Sequence, residues 1–444
     1  MRKYFGLLLA ALLLVPSLAL AIDMANVKLG GDIRFRGYTM DNWADFNDDG
    51  AYDDEMDMFR LRASLFAGVD VGDNVTGYIR ITDQNYGEGV AVAEGKDAWD
   101  DHTSNDVFIE NAYIDVKNVL GPISLRLGRQ NMVYGSGFVI LDGQSQFSSN
   151  SIYFDGAKAT WDLTELVGLD MFYMKDQENS RGENAVGADQ DNNGDDITLM
   201  GLYLTSKNGG CPYLRGQQEV YALNREDEGT SKDIWMFGLR LSDKLDFGLD
   251  YSAEAALQTG DAYNGEDHSA TGYKFDLGYT LDFPIKPRFF GQYVLLSGDE
   301  KGGDDYEGWD VFYGGWPQFG DLLAWKYVNM GSSLAPNVIY NPGSTVVGEA
   351  NYSNLQIMTA GIGLNIDDKI FPKASYSKLE FDETTAYGLL DDDFGDYYQL
   401  DVKYVYSKAL SFAVYYAVIE PGDAFPKTNQ DQAREFFWEA ELKF

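Results

Sequence analysis

The sequence predicts an all-β protein, a single transmembrane antiparallel β-barrel of about eighteen strands. Three observations predict it. Hydrophobic residues recur with a period of two over runs much longer than an ordinary soluble strand, so each run has one apolar and one polar face. After the first 21 residues no stretch approaches about 18 consecutive apolar residues, which leaves nothing for a membrane-spanning helix. The runs are joined alternately by short turns and long acidic loops, the asymmetry of an outer-membrane barrel.

Composition narrows the class further. The 444 residues carry 34 Lys+Arg against 71 Asp+Glu, a formal charge of −37, which argues against a nucleic-acid partner because phosphates need a basic footprint. A single cysteine, Cys211, excludes a disulfide scaffold, a thiolate zinc site and an Fe–S cluster. Hydrophobic residues at 45% and aromatics at 14% are too abundant for a disordered acidic chain, so the apolar side chains must be buried or face lipid.

The chain begins with a basic Met1-Arg2-Lys3, an apolar run from Phe5 to Val15, and the small-residue triplet Ala19-Leu20-Ala21. These are the three parts of a secretory signal peptide over residues 1–21, with cleavage before Ile22 and no lipoprotein cysteine at the site. Residues 22–444 then form one barrel domain, with strands expected at 27–40, 56–70, 74–86, 105–118, 121–131, 151–163, 166–176, 195–206 and 216–225. The second half continues at 232–242, 245–258, 270–282, 286–298, 354–366, 370–381, 396–408, 410–420 and 434–444. In the second strand Phe59, Leu61, Ala63 and Leu65 oppose Arg60, Arg62 and Ser64, and near the end Tyr398, Leu400, Val402 and Tyr404 oppose Gln399, Asp401 and Lys403. An amphipathic sheet of this size must close on itself to remove its edges and to satisfy every backbone polar group in lipid. Short turns are expected at Gly72-Asp73, Asn118 to Gly121, Leu163 to Leu166, Ser242-Asp243, Phe283 to Lys286, Asp367-Asp368 and Ser407-Lys408, which sets both termini on the periplasmic side. Tyrosine and tryptophan rings are suited to the two lipid–water boundaries.

Parity places Arg34, Arg36, Arg60, Arg62, Arg80, Arg126, Lys158, Arg240, Lys274 and Arg288 opposite the apolar face, toward the interior. Rings of Arg or Lys select anions, because a guanidinium offers fixed donors that match carboxylate or phosphate. The same cations could equally pair with interior acids such as Asp32, Asp115, Asp170, Asp250, Glu254 and Asp276 and brace the wall, and the sequence leaves both readings open.

The acidic residues crowd the connections. Asp45-x-Asn47-x-Asp49-Gly50, with Asp53 close by, and Asp189-x-Asp191-x-Asn193-Gly194 reproduce the first half of a calcium loop, although position twelve is Met56 or Met200 where a bidentate Glu belongs. Structural calcium in these loops stands beside plain solvation and lipopolysaccharide-linked cations; no other cofactor is required. The longest connection, 299–354, carries Trp309, Trp316, Pro317 and Trp325, and is expected to cover or enter the pore rather than lie on the surface. Enzyme chemistry finds little support: His102 and His268 are expected in separate loops, no Gly-x-Ser-x-Gly elbow occurs, and Asp391-Asp392-Asp393 reads as a solvated run.

Phe108-Ile109-Glu110-Asn111-Ala112-Tyr113-Ile114-Asp115-Val116, Leu125-Arg126-Leu127-Gly128-Arg129-Gln130 and Phe154-Asp155-Gly156-Ala157 resemble strand and turn motifs of the alginate export porin family of Gram-negative outer membranes. Asp32-Ile33-Arg34-Phe35-Arg36 and Arg60-Leu61-Arg62 are similar to that family's opening strands. The resemblance covers residues 30–160 and implies an eighteen-stranded barrel with an arginine-rich lumen that passes an acidic polysaccharide. It alone assigns Arg129, which breaks parity at a strand end, to the lumen. The expectation is therefore an outer-membrane channel for anionic solutes, with a general diffusion porin or a non-conducting adhesion or assembly scaffold as alternatives. Expected partners are outer-membrane lipid and lipopolysaccharide, the barrel-assembly machinery through the last strand ending at Phe444, and the anionic cargo; the acidic rims lean toward a monomer.

Overall fold

The computed structural model describes residues 26–43, 46–48, 55–86, 107–142, 152–177, 196–228, 231–262, 265–300, 305–314, 318–326, 352–385 and 389–444. The proposed signal segment 1–21 lies outside the described residues. The strands are β1 (Val27–Asp41), β2 (Met56–Val71), β3 (Val75–Tyr86), β4 (Phe108–Leu120), β5 (Ile123–Gln130), β6 (Phe154–Asp162), β7 (Val167–Gln177), β8 (Asp196–Ser206), β9 (Gln217–Asp227) and β10 (Lys232–Lys244). They continue as β11 (Leu249–Asp261), β12 (Asp267–Thr280), β13 (Arg288–Leu296), β14 (Asp305–Tyr306), β15 (Leu355–Gly363), β16 (Ile370–Glu380), β17 (Asp393–Val405), β18 (Leu410–Pro421) and β19 (Ala433–Lys443). β14 is a two-residue strand parallel to the start of β12, so eighteen strands make the wall, each antiparallel to the next. β1 pairs with β19 from Asp32↔Lys443 to Asp41↔Arg434, which closes the cylinder.

The outward face is what the period-two pattern requires. Phe59, Leu65, Leu202, Phe237, Leu277, Tyr398 and Phe412 are all exposed on the outside of the wall, where lipid takes the place of a protein core. The turn between β10 and β11 lies at 245–248 rather than at Ser242-Asp243, which belong to β10. Gly248 explains the shift: its φ of +99° is in the left-handed region, and a Cβ there would strike the carbonyl oxygen of Thr280. His268, expected in a loop, sits buried on β12, where its Nε2 and the Gln258 Oε1 are 3.0 Å apart.

The inward face departs from the simple polar expectation. At the long-loop end of the strands Met40, Met56, Met58, Met174, Leu199, Leu223, Met236, Leu296, Leu355 and Ile357 point inward and are buried. They pack around chain that has folded back into the barrel. Two described inserts do this, residues 131–142 and the strap formed by 305–314 and 318–326, the latter ending in a helical turn at 321–326. Tyr313 N–H donates to the Val139 carbonyl at 3.1 Å and Leu141 N–H to the Tyr313 carbonyl at 3.0 Å, so the inserts are stitched to each other. Trp309, Phe138, Val139, Leu322 and Leu323 are almost fully buried. Apolar burial of this size is the principal driving force that keeps the inserts inside. The long connection therefore enters the barrel in its described parts.

Candidate functional site: the barrel interior

The β1–β2 register sets Arg34 opposite Arg62 and Arg36 opposite Arg60, with all four side chains inward and buried. Arg80 on β3 adds a fifth guanidinium beside them. Two acids in the patch serve two arginines each: Glu110 accepts from Arg62 Nη2 at 2.6 Å and Arg80 Nε at 3.1 Å, and Glu439 pairs with both Arg34 and Arg36. Asp32 closes the network with Arg80. Register, rather than chain proximity, assembles this patch, because the groups come from β1, β2, β3, β4 and β19.

Farther round the wall most of the other sequence-predicted cations are paired with acids. Arg126 forms a fork on Asp115 at 2.7 and 2.8 Å and stacks over the Tyr113 ring at 3.9 Å. Lys158 lies 3.6 Å from Asp170, Arg240 lies 2.5 Å from Glu219 and 3.7 Å from Glu254, and Arg288 lies 2.6 Å from Asp250. Lys274 Nζ reaches Ser136 Oγ and Gln318 Oε1, both at 3.4 Å, and so touches both inserts. Arg129 does not line the lumen: strand alternation puts it on the face of Leu125 and Leu127, opposite Arg126 and the buried Gln130. There it forms a fork on Asp155 at 2.7 and 2.8 Å and covers the Tyr153 ring.

Sequence reasoning missed the residues that hold the strap. Asp310 is buried and receives Arg225 Nη1 at 3.3 Å, Lys232 Nζ at 3.5 Å and the Phe312 backbone N–H at 2.9 Å. Its backbone exchanges hydrogen bonds with the Gln258 side chain at 2.5 and 2.9 Å. Burial alone would raise the Asp310 carboxyl, but Arg225, Lys232 and the Phe312 N–H more than offset it and hold the group far below the usual carboxylate range. At the other side of the lumen Asp321 is buried against Tyr38, Arg36, Arg60 and Glu435, and burial pushes its carboxyl up. Lys326 Nζ donates to the Asn42 carbonyl at 2.9 Å and lies over the Phe46 ring. The strap thus spans from β9, β10 and β11 to β1 and β19.

The calcium reading concerns residues that are nearly all outside those described. Asp45, Asp49, Asp53, Asp189, Asp191 and Asn193 lie outside the described residues, Asn47 alone being described, and among the described residues no group of three His, Cys, Asp or Glu side chains is gathered as a metal site.

Comparison with known proteins places this geometry in a family. The chain is structurally similar to OccAB1 of Acinetobacter baumannii at a TM-score of 0.60 and 11% identity, covering 97% of this chain and 99% of that one. It is similar to a BenF-like porin of Pseudomonas fluorescens Pf-5 at 0.58 and 10% identity (94% and 99% covered), and to the outer membrane protein OprD of Pseudomonas aeruginosa at 0.52 and 14% (94% and 93%). At such identities the likeness is one of fold. A search of curated protein sequences returned no match. The alginate export family profile matches residues 25–439, nearly the whole barrel, and the chain accordingly belongs to the alginate export family, as an outer-membrane β-barrel channel.

Proposed function

We propose that this channel passes anionic solutes, with an alginate-like acidic polysaccharide as the cargo class. The observation that carries the reading is the pair of arginine–arginine registers on β1 and β2. Elsewhere the wall sets acid directly opposite base, as in Asp115↔Arg126, Glu219↔Arg240 and Glu254↔Lys274, and the like-charged register Arg126↔Lys158 is answered by Asp115 and Asp170. Wall-bracing accounts for those. The β1–β2 registers differ in stacking two like-charged pairs one above the other, each costing on the order of 0.2–1 kcal/mol relative to a neutral pair. Five guanidinium groups gathered on one patch of the wall are suited to a carboxylate passing it.

The test is a bilayer reversal potential under a salt gradient. Anion preference is expected, and Arg36→Gln with Arg60→Gln should move the potential toward zero; cation preference or weak selectivity would turn the assignment to a general diffusion porin, and absence of current to a scaffold. The same proposal takes residues 1–21 as a cleaved leader and a Gram-negative outer membrane as the destination. It also takes lipid and lipopolysaccharide as the surroundings, the barrel-assembly machinery as the partner of the strand ending at Phe444, a single barrel as the working unit, and no catalytic role. Structural calcium in the acidic loops remains part of it, tested by chelation against thermal stability.

A further inference from the structure

The two ends of the strap are held by different chemistry. At Asp310 one carboxylate meets two cations and a backbone N–H, an anchor with every charge answered. At Asp321 the carboxyl meets the Tyr38 hydroxyl, the positive field of Arg36 and Arg60, and a second acid, Glu435. Arg36 Nη1 donates to the Tyr38 hydroxyl at 2.9 Å, so the tyrosine passes the polarisation of that guanidinium on to Asp321. Tyr38, Arg36, Arg60 and Glu435 are each no more than 3% exposed, and Asp321 itself is 3% exposed. Asp321 Oδ2 and both Glu435 carboxyl oxygens find no hydrogen-bond donor among the described residues, so the two acids satisfy one another only by sharing a proton. Gly320, at a φ of +126°, lies so close to the Tyr397 hydroxyl that no Cβ would fit, which shapes the strap to this seat.

We propose that Tyr38, Arg36 and Arg60 form a carboxylate-binding seat which the strap fills with its own Asp321, so that an anionic cargo opens the passage by exchanging its carboxylate for that of Asp321. This rests on the anion-passing reading above. The seat suits a carboxylate because it joins a hydroxyl donor to two guanidinium groups set in register by β1 and β2. Asp321 is an exchangeable occupant because part of its carboxyl faces a second acid, Glu435, with only a shared proton between them, whereas Asp310 meets two cations and a backbone N–H and stays put. Lys326 keeps the far end of the helical turn attached to the Asn42 carbonyl, so exchange tilts the turn without freeing the strap.

A tethered competitor raises the ligand concentration needed to occupy the seat, and removing it lowers that concentration. Current block is therefore measured in bilayers with a galacturonate trimer and, in parallel, with neutral maltotriose. Asp321→Asn should let the galacturonate trimer block at roughly tenfold lower concentration than in the wild type while the maltotriose response stays unchanged. Glu435→Gln gives Asp321 a permanent amide donor and should shift the galacturonate block the opposite way. Equal shifts for both sugars, or no shift in either variant, would overturn the seat. The wild-type reversal potential recorded in the same bilayers separates the two levels: cation preference overturns the anion-passing reading, whereas an anion-selective channel with unshifted block overturns only the role of Asp321.

Discussion

Asp310 illustrates how much a single side chain inside this barrel depends on its partners. Its carboxyl is held far below the ordinary value of about 3.9, so the sign of its pH dependence is that of a depressed acid: the stabilisation is complete above the unfolded value and is lost only as pH falls through the lower folded one. Strap protection measured by limited proteolysis should accordingly be unchanged between about pH 7 and 5. Asp310→Asn leaves Arg225 and Lys232 buried without their acid, a loss of about 3 kcal/mol by comparison with broken buried pairs, and should expose the strap to protease at neutral pH. Cleavage no faster than in the wild type would contradict this anchor. Neither partner was legible from sequence, because Arg225 and Lys232 sit at strand ends beside acids that read as ordinary surface charge.

At the level of elements the strap carries the main prediction. Deleting 305–326 removes Trp309, Phe312, Leu322 and Leu323 from the lumen and should raise single-channel conductance; unchanged conductance would mean that the strap does not obstruct the passage. Gly320→Ala should act in the same direction, since the left-handed backbone and the adjacent Tyr397 hydroxyl leave no place for a methyl group. Strand positions were readable because lipid imposes a strict alternation: Tyr398, Leu400 and Tyr404 face outward as expected, and each predicted strand lies within a few residues of the observed one. Alternation tells which side chains turn inward but not what they meet there. Met40, Met56 and Met236 look like misplaced apolar residues until the strap is seen to cover them. Alternation holds at Arg129, on the outward parity of its short strand, so it was the assignment from resemblance that failed there; the bulge between Arg80 and Ile81 lets both Glu110 and Asn111 turn inward, which alternation alone does not foresee.

For the molecule as a whole, an apolar outer surface with an internally braced wall requires detergent or lipid. The purified chain should give a β-dominated circular dichroism spectrum in detergent micelles and precipitate on their removal; a helical spectrum, or lasting solubility without detergent, would be incompatible with the barrel. The cation column was legible as a set; of the acids named as its partners, Asp32, Asp115, Asp170, Asp250 and Glu254 are ion-paired with it, Asp276 instead accepts from Gln292, and Glu110, Glu219 and Glu439 join it unforeseen. The like-charged registers on β1 and β2 were not, because they depend on which strands meet.

The seam between β1 and β19 has one more consequence. Gly31 and Phe444 exchange both of their backbone hydrogen bonds, at 2.9 and 3.0 Å, and so extend a ladder that joins two strands far apart along the chain. Closure therefore waits until both strands of this seam are in place, and a chain lacking either would present the membrane with a gutter instead of a tube.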